Sequence, residues 1–242
     1  MKFWAAFILV VIMSSCKKES ETLSLTSISE LYPLAVGKTF IYRLDSTVTI
    51  NFGAALATRS YLAKDSIEST FQDAQNRKNF RIFRYLRDTL ATQPWKFTAT
   101  YFTTITENSV EFVDNNLRYV TLVNPVSDNT FWKGNVFINT VLPSSYYFLD
   151  NWDYQYRNLN QNFTTKKGVI ANTYTVLQQN TQIPATFNAA VYNEKSYSVE
   201  VYAKSVGLIY KEFLHFTWQP TPVPAKYQDD SYGIKLNLIS YN

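Results

Sequence analysis

One cysteine, one histidine and six glycines stand among 242 residues, and each scarcity closes off chemistry. With Cys16 as the only thiol, no intrachain disulfide can form, so the fold must rest on its core. A lone histidine, His215, cannot build a multi-histidine metal site. So few glycines disfavour collagen-like repeats and dinucleotide-binding folds, and no phosphate-loop motif or metal-ligand spacing is present. Neither a cofactor nor a metal is expected. Charge is thin too: 17% of residues are charged and the net charge is +4. The basic residues form no stripe, which argues against a nucleic-acid partner. Long apolar runs are missing as well. Phe3 to Met13 is uninterrupted, yet too short to span a bilayer as a helix.

The residues on either side of that short run give it a meaning. Lys2 supplies a basic start, Phe3–Met13 an apolar stretch, and Ser14 and Ser15 the small residues a signal peptidase accepts. Cys16 comes directly after them. Met13-Ser14-Ser15-Cys16 is the pattern of a bacterial lipoprotein signal, with methionine where leucine is commoner. Residues 1–15 are therefore expected to be cleaved. Cys16 becomes the first residue, with acyl chains such as palmitate on its sulfur and amine. Each buried methylene is worth roughly 0.8 kcal/mol, so two or three chains hold a protein stably. Lys17 replaces the aspartate that tends to retain such proteins in the inner membrane, which favours the outer membrane. Residues 16–30, poor in large apolar groups, read as the lipidated cysteine and a tether.

What the chain does have is aromatic mass, 17% of all residues. Disordered chains lack such residues. From Leu31 on, alternation with period two dominates. Phe40, Tyr42, Leu44, Val48 and Ile50 share one face of a strand. Phe80, Ile82, Arg84 and Leu86 alternate with Arg81, Phe83, Tyr85 and Arg87. Trp95, Phe97, Ala99, Tyr101 and Ile105 are assigned to one face of another. Ile234, Leu236 and Leu238 mark a last strand. Asn115-Asn116 and Ser205-Val206-Gly207 read as turns. Residues 125–150 form a long irregular excursion, the stretch around Gly168 a continuous strand, and residues 185–196 the best helix candidate. The expectation is a predominantly all-β single domain over residues 31–242. It would be an antiparallel curved sheet or incomplete β-barrel of roughly ten strands, with at most short helices.

Two phrases carry a resemblance. Pro33, Leu34, Val36, Gly37 and Phe40 open the domain. Tyr202, Ala203, Val206, Gly207 and Leu208 precede a late strand, and residues 131–135 (FWKGN) stand between them. Together these ends of the chain resemble a group of uncharacterised Bacteroidota lipoproteins. The run KKESE after the cysteine is similar to the short charged signals that send such lipoproteins to the cell surface. The resemblance implies a curved β-sheet or incomplete barrel, and no activity.

Candidates for chemistry are few. A Ser-His-Asp site would need His215 as base and a serine such as Ser144 or Ser145, without the G-x-S-x-G turn that usually presents one. The plainer reading is a strand histidine with a satisfied side chain. Asp229-Asp230 and Asp150 with Asp153 are possible carboxylate pairs, more simply read as solvated charge. Aromatics crowd residues 146–156. Tyr146, Tyr147, Trp152, Tyr154 and Tyr156 beside two carboxylates could stack on a sugar or an apolar ligand. Core filling is the competing role. The expected function is a membrane-anchored, non-enzymatic envelope protein whose β domain binds an apolar, glycan or protein ligand. A surface hydrolase and a structural accessory subunit are the alternatives.

Overall fold

The computed structural model describes residues 26–165, 168–221 and 223–242. The signal, Cys16 and most of the tether lie outside the described residues. Thirteen strands are present among them: β1 (Thr39–Ile50), β2 (Ala55–Gln72), β3 (Lys78–Arg87), β4 (Lys96–Ile105), β5 (Ser109–Asp114), β6 (Leu117–Val123), β7 (Phe131–Lys133), β8 (Asp153–Thr165), β9 (Gly168–Ile183), β10 (Asn193–Ala203), β11 (Gly207–Gln219), β12 (Lys226–Tyr227) and β13 (Tyr232–Tyr241). One antiparallel sheet runs in the order β6-β5-β4-β3-β2-β1-β13-β11-β10-β9-β8-β7, with β12 paired to β11 off that path. The only α-helix among the described residues, α1 (Ile28–Leu31), is one turn long.

The sheet curls until its edge strands β6 and β7 nearly meet. Between them runs a seam of a few bonds. Val120 N–H donates to Gly134 O at 2.8 Å, and Trp132 Nε1 donates to Val120 O at 2.7 Å. The Tyr156 phenol donates to Val123 O at 2.6 Å and accepts from Val123 N–H at 3.0 Å. These bonds do what a ladder would do for an exposed edge. Gly134 allows the close approach: a Cβ there would lie 2.2 Å from the Tyr154 ring.

Ladder registers put every hairpin at one of two ends. The β10–β11 turn, the β8–β9 reversal and α1 lie at one end. The β5–β6 turn, the residue 134–152 excursion and the loops before β10 and β13 lie at the far end. α1 plugs its end. Ser27 and Glu30 form a capping box, and Ile28 and Leu31 are fully buried. Thr26 Oγ1 bonds the Tyr174 hydroxyl at 2.8 Å, and Ser205 N–H donates to Glu30 O at 2.8 Å. Among the described residues, packed structure therefore already includes Thr26, ahead of the Leu31 expected from composition.

The interior is aromatic and aliphatic with charges paired inside it. Phe40, Tyr42, Leu44, Ile82, Tyr101, Val201, Leu236 and Leu238 form one cluster. Leu122, Leu149, Trp152, Tyr154, Tyr156 and Tyr202 belong to another. Arg84 grips Asp65 through two 2.6 Å bonds, and Lys211 reaches Glu200 at 2.9 Å. A buried guanidinium needs such a bidentate partner to offset its desolvation.

The architecture agrees with the curved, nearly closed all-β fold read from the sequence. Details differ for local reasons. A register shift opposite Arg84–Tyr85 puts one extra residue into β4. It turns Phe97 outward against Phe83 and Tyr85, while Ala99 and Tyr101 face in. Trp95 precedes the strand. Gly168 opens β9 after a chain reversal whose residues 166 and 167 lie outside the described residues, so the stretch is two strands and not one. Residues 185–196 form no helix. Asn193 clamps a loop there by donating to Asn188 O and Val191 O, both at 2.7 Å, and β10 then begins.

Candidate functional site

At the far end of the barrel, three separated segments meet. The excursion brings Ser145, Tyr146, Tyr147 and Phe148, and the loop before β10 brings Tyr192. Gln219 at the end of β11, the segment Gln228–Asp230 and Tyr232 at the start of β13 complete an open cleft of about 540 Å³. That is the size of a small-ligand site. Among the described residues, no lysine or arginine lines it. Its walls offer phenol rings, two carboxylates and two side-chain amides.

The excursion folds as it does because its own groups satisfy it. Ser144 Oγ donates to Asn139 O at 2.7 Å and accepts from Tyr146 N–H at 3.1 Å. A single 3-10 turn, Tyr147–Leu149, comes next. Trp152 Nε1 donates to Phe148 O at 2.7 Å and Asn135 Nδ2 to Leu149 O at 2.9 Å. Tyr154 donates back to Asn135 Oδ1 at 2.8 Å. Phe148 then lies face to face on His215, with centroids 3.8 Å apart and planes 10° from parallel. This stack is the floor beside the cleft.

Asp230 is the best-held polar group of the cleft. Its Oδ2 accepts from Tyr147 at 3.1 Å and Thr217 Oγ1 at 3.3 Å, and lies 3.6 Å from His215 Nε2. Burial works to raise this carboxyl, but bonding and charge from His215, with Tyr147 and Thr217, hold it below its ordinary range. Asp230 is thus an ionised acceptor. The Tyr147 phenol is pushed up, by burial first and by the Asp230 charge second, so it stays a donor.

His215 also meets a serine. Ser196 Oγ lies 2.9 Å from Nδ1, which makes a chain of hydroxyl, imidazole and carboxylate. The serine is Ser196 from the neighbouring strand, not Ser144 or Ser145. Ser196 is 3% exposed and His215 fully buried, and neither lines the cleft. A nucleophile must meet a carbonyl at about 3 Å, and no open surface reaches this oxygen. The geometry is that of a strand histidine with every ring nitrogen partnered. Among the described residues no group of three histidine, cysteine or acidic side chains could hold a metal.

Of the five aromatics offered by the sequence as a ligand surface, two reach the cleft: Tyr146 and Tyr147. Trp152, Tyr154 and Tyr156 are corrected to core, each 2% exposed or less and each hydrogen-bonded inside. The reason is a change of structure at Asp150. The chain leaves the 3-10 turn, and the alternate positions of β8 then face the barrel interior. Asp150 and Asp153 sit on the outside, Asp150 with Thr140 and Asp153 with Lys133. Tyr192, Gln219, Gln228 and Tyr232 are site residues that sequence reasoning missed. Only Asp229-Asp230 in the proline-rich loop hinted at that side.

No protein-family model matches the chain, and no curated protein does. Solved structures resemble it. One is a "putative lipoprotein" from Parabacteroides distasonis, 9% identical with a TM-score of 0.40, covering 88% of this chain and 98% of the other. A second is a "putative exported protein" with "YmcC-like fold" from Bacteroides fragilis, 10% identical with a TM-score of 0.36, covering 86% and 98%. Both are Bacteroidota proteins, the group that the two ends of the sequence resemble.

Proposed function

We propose that the protein is an envelope lipoprotein, held in the outer membrane by acyl chains on Cys16, that binds a glycan in the far-end cleft without catalysis. The cleft carries this reading. Tyr146, Tyr147, Tyr192 and Tyr232 supply faces on which sugar rings stack, while Asp230, Gln219 and Gln228 supply acceptors and donors for paired hydroxyls. The absence of lysine and arginine from the walls, among the described residues, disfavours phosphorylated or other anionic ligands. The N-terminal signal supports the anchor. Ten residues from Cys16 to Thr26 span at most about 35 Å. Since α1 stands at the end opposite the cleft, a domain tethered there keeps its cleft open to solvent.

The test is binding of the purified protein to an array of bacterial-envelope and host glycans, with Tyr146→Ala and Gln228→Ala alongside. Losing one stacked ring should weaken binding by roughly 1–3 kcal/mol, by analogy with base stacking, while thermal unfolding stays near wild type. Labelled palmitate should enter the wild type and not Cys16→Ser. Glycan binding that survives both cleft substitutions, or none at all, would overturn the glycan reading and favour a structural subunit.

A further inference from the structure

Another opening, a groove of about 830 Å³ beside the β3–β4 turn, shares no lining residue with the outer cleft. Its size is that of a ligand site. Its wall is largely apolar: Leu44, Tyr61, Leu86, Ala99, Tyr101 and Ile234 come from the adjoining strands β1, β2, β3, β4 and β13. The charged groups that line it are Arg84, Arg87, Asp88 and Lys96. Two of them are spent. Arg84 is taken by Asp65, and the Asp88 carboxylate accepts from the N–H groups of Leu90, Thr92 and Gln93 in its own turn. Arg87 ends β3 and Lys96 begins β4, and neither takes part in an ion pair among the described residues. Arg87 stands out further. Its Nε is buried and has no hydrogen-bond partner among the described residues. Its guanidinium lies 4.2 Å from the centre of the Trp95 ring, a face that attracts the charge but offers no oxygen to its N–H groups. A buried donor without a partner is rare in folded proteins and calls for a reason.

An apolar groove with an unmatched guanidinium at its rim is complementary to a molecule that is apolar along its length and anionic at one end. We infer that this groove is a second binding site, for a single-chain amphiphile with a carboxylate or phosphate head. The wall takes an alkyl chain out of water. The guanidinium fork matches two oxygens of either head group through paired N–H bonds. A head group in the groove draws the fork off the Trp95 face until its N–H groups, Nε–H among them, meet those oxygens. Lys96 lines the same groove and adds a second positive charge. A cationic amphiphile would meet both charges, and an uncharged one would leave the Arg87 donor unmet. A sugar would set its hydroxyls against a wall that has few partners for them.

The probes are octanoate, decanoate, dodecanoate and dodecyl phosphate, with dodecan-1-ol and dodecyltrimethylammonium for comparison, each kept below the concentration at which it self-associates. The readouts are the Arg87 Nε–H resonance and the part of the fluorescence that Trp95→Phe removes. Dodecanoate or dodecyl phosphate should bind saturably and change both, and whichever binds tighter names the head group. Affinity should rise roughly tenfold for every two methylenes from octanoate to dodecanoate. The alcohol and the cation should bind roughly tenfold or more weakly than the anions. Arg87→Gln should lose a similar factor, and Arg87→Lys, which keeps the charge, should lose less. The comparison of head groups is made on the wild type, so it decides the matter even where a variant fails to fold. No movement of the Arg87 resonance by either anion would overturn the inference. So would equal binding of dodecan-1-ol, an affinity that is flat along the chain-length series, or binding unchanged in a folded Arg87→Gln. Arg87 does not line the outer cleft, so glycan binding stands or falls separately.

Discussion

Replacing Tyr156 by phenylalanine removes one oxygen from a fully buried ring and leaves the ring in place. That oxygen holds both backbone groups of Val123 on the edge strand β6, accepting from its N–H and donating to its carbonyl. A buried backbone group left without a partner costs about 1–3 kcal/mol. Two such groups are involved, and Val123 is only half-buried, so water can recover part of the loss. The expected destabilisation is about 2–4 kcal/mol, or a fall in Tm of roughly 4–16 °C for a chain of this size. Urea unfolding should show the lower midpoint with an unchanged slope, since the exposed area barely changes. Hydrogen exchange adds location. Amides of β6 should exchange faster than those of β1 and β13 in the middle of the sheet, because the seam opens before the ladder does. Tyr241→Phe, at an exposed phenol on the last strand, serves as the control and should change little. A loss below about 0.5 kcal/mol in Tyr156→Phe, or exchange that quickens uniformly, would refute the view that this phenol latches the barrel.

Trp152→Ala should cost about 3–5 kcal/mol by leaving a cavity in the core and unpairing Phe148 O, read by denaturant unfolding; near-wild-type stability would return Trp152 to the surface. The β2–β3 turn should carry a pH signature. Arg77 N–H chiefly, then Gln75 N–H and the Arg77 guanidinium, hold the Asp73 carboxyl down to about 2 from an ordinary 3.8. A depressed carboxyl contributes stability that is present above its unfolded value and lost as the pH falls through the folded one. The stability gap between wild type and Asp73→Asn should therefore be widest above about pH 4 and close towards pH 2; a gap independent of pH would contradict the assignment.

Sequence periodicity revealed the strands because one face of this sheet is buried throughout. Phe40, Tyr42 and Leu44, or Ile234, Leu236 and Leu238, can alternate with polar residues only in a half-buried strand. Asn115-Asn116 revealed its turn because both residues adopt positive φ, 48° and 65°, which few side chains tolerate. Bulges escaped notice. The extra residue in β4 leaves the composition of the strand intact and moves Phe97 to the opposite face, so nothing in the alternation announces it. α1 was legible in principle. Ser27-Ile28-Ser29-Glu30 is a capping box, obscured by the polar composition of the tether around it.

The cleft was half legible, and the reason is topological. Tyr146 and Trp152 stand six positions apart in the same aromatic run, and both are plausible ligand contacts on residue type alone. What separates them is a turn at Asp150 and a ladder with β7 and β9, which come from distant parts of the chain. Asp230 is in a similar position. Its charge is set by His215, Tyr147 and Thr217, which lie 15, 83 and 13 residues away. Local sequence can name the residue types that make a site, but here the partner choice is made when the barrel curls.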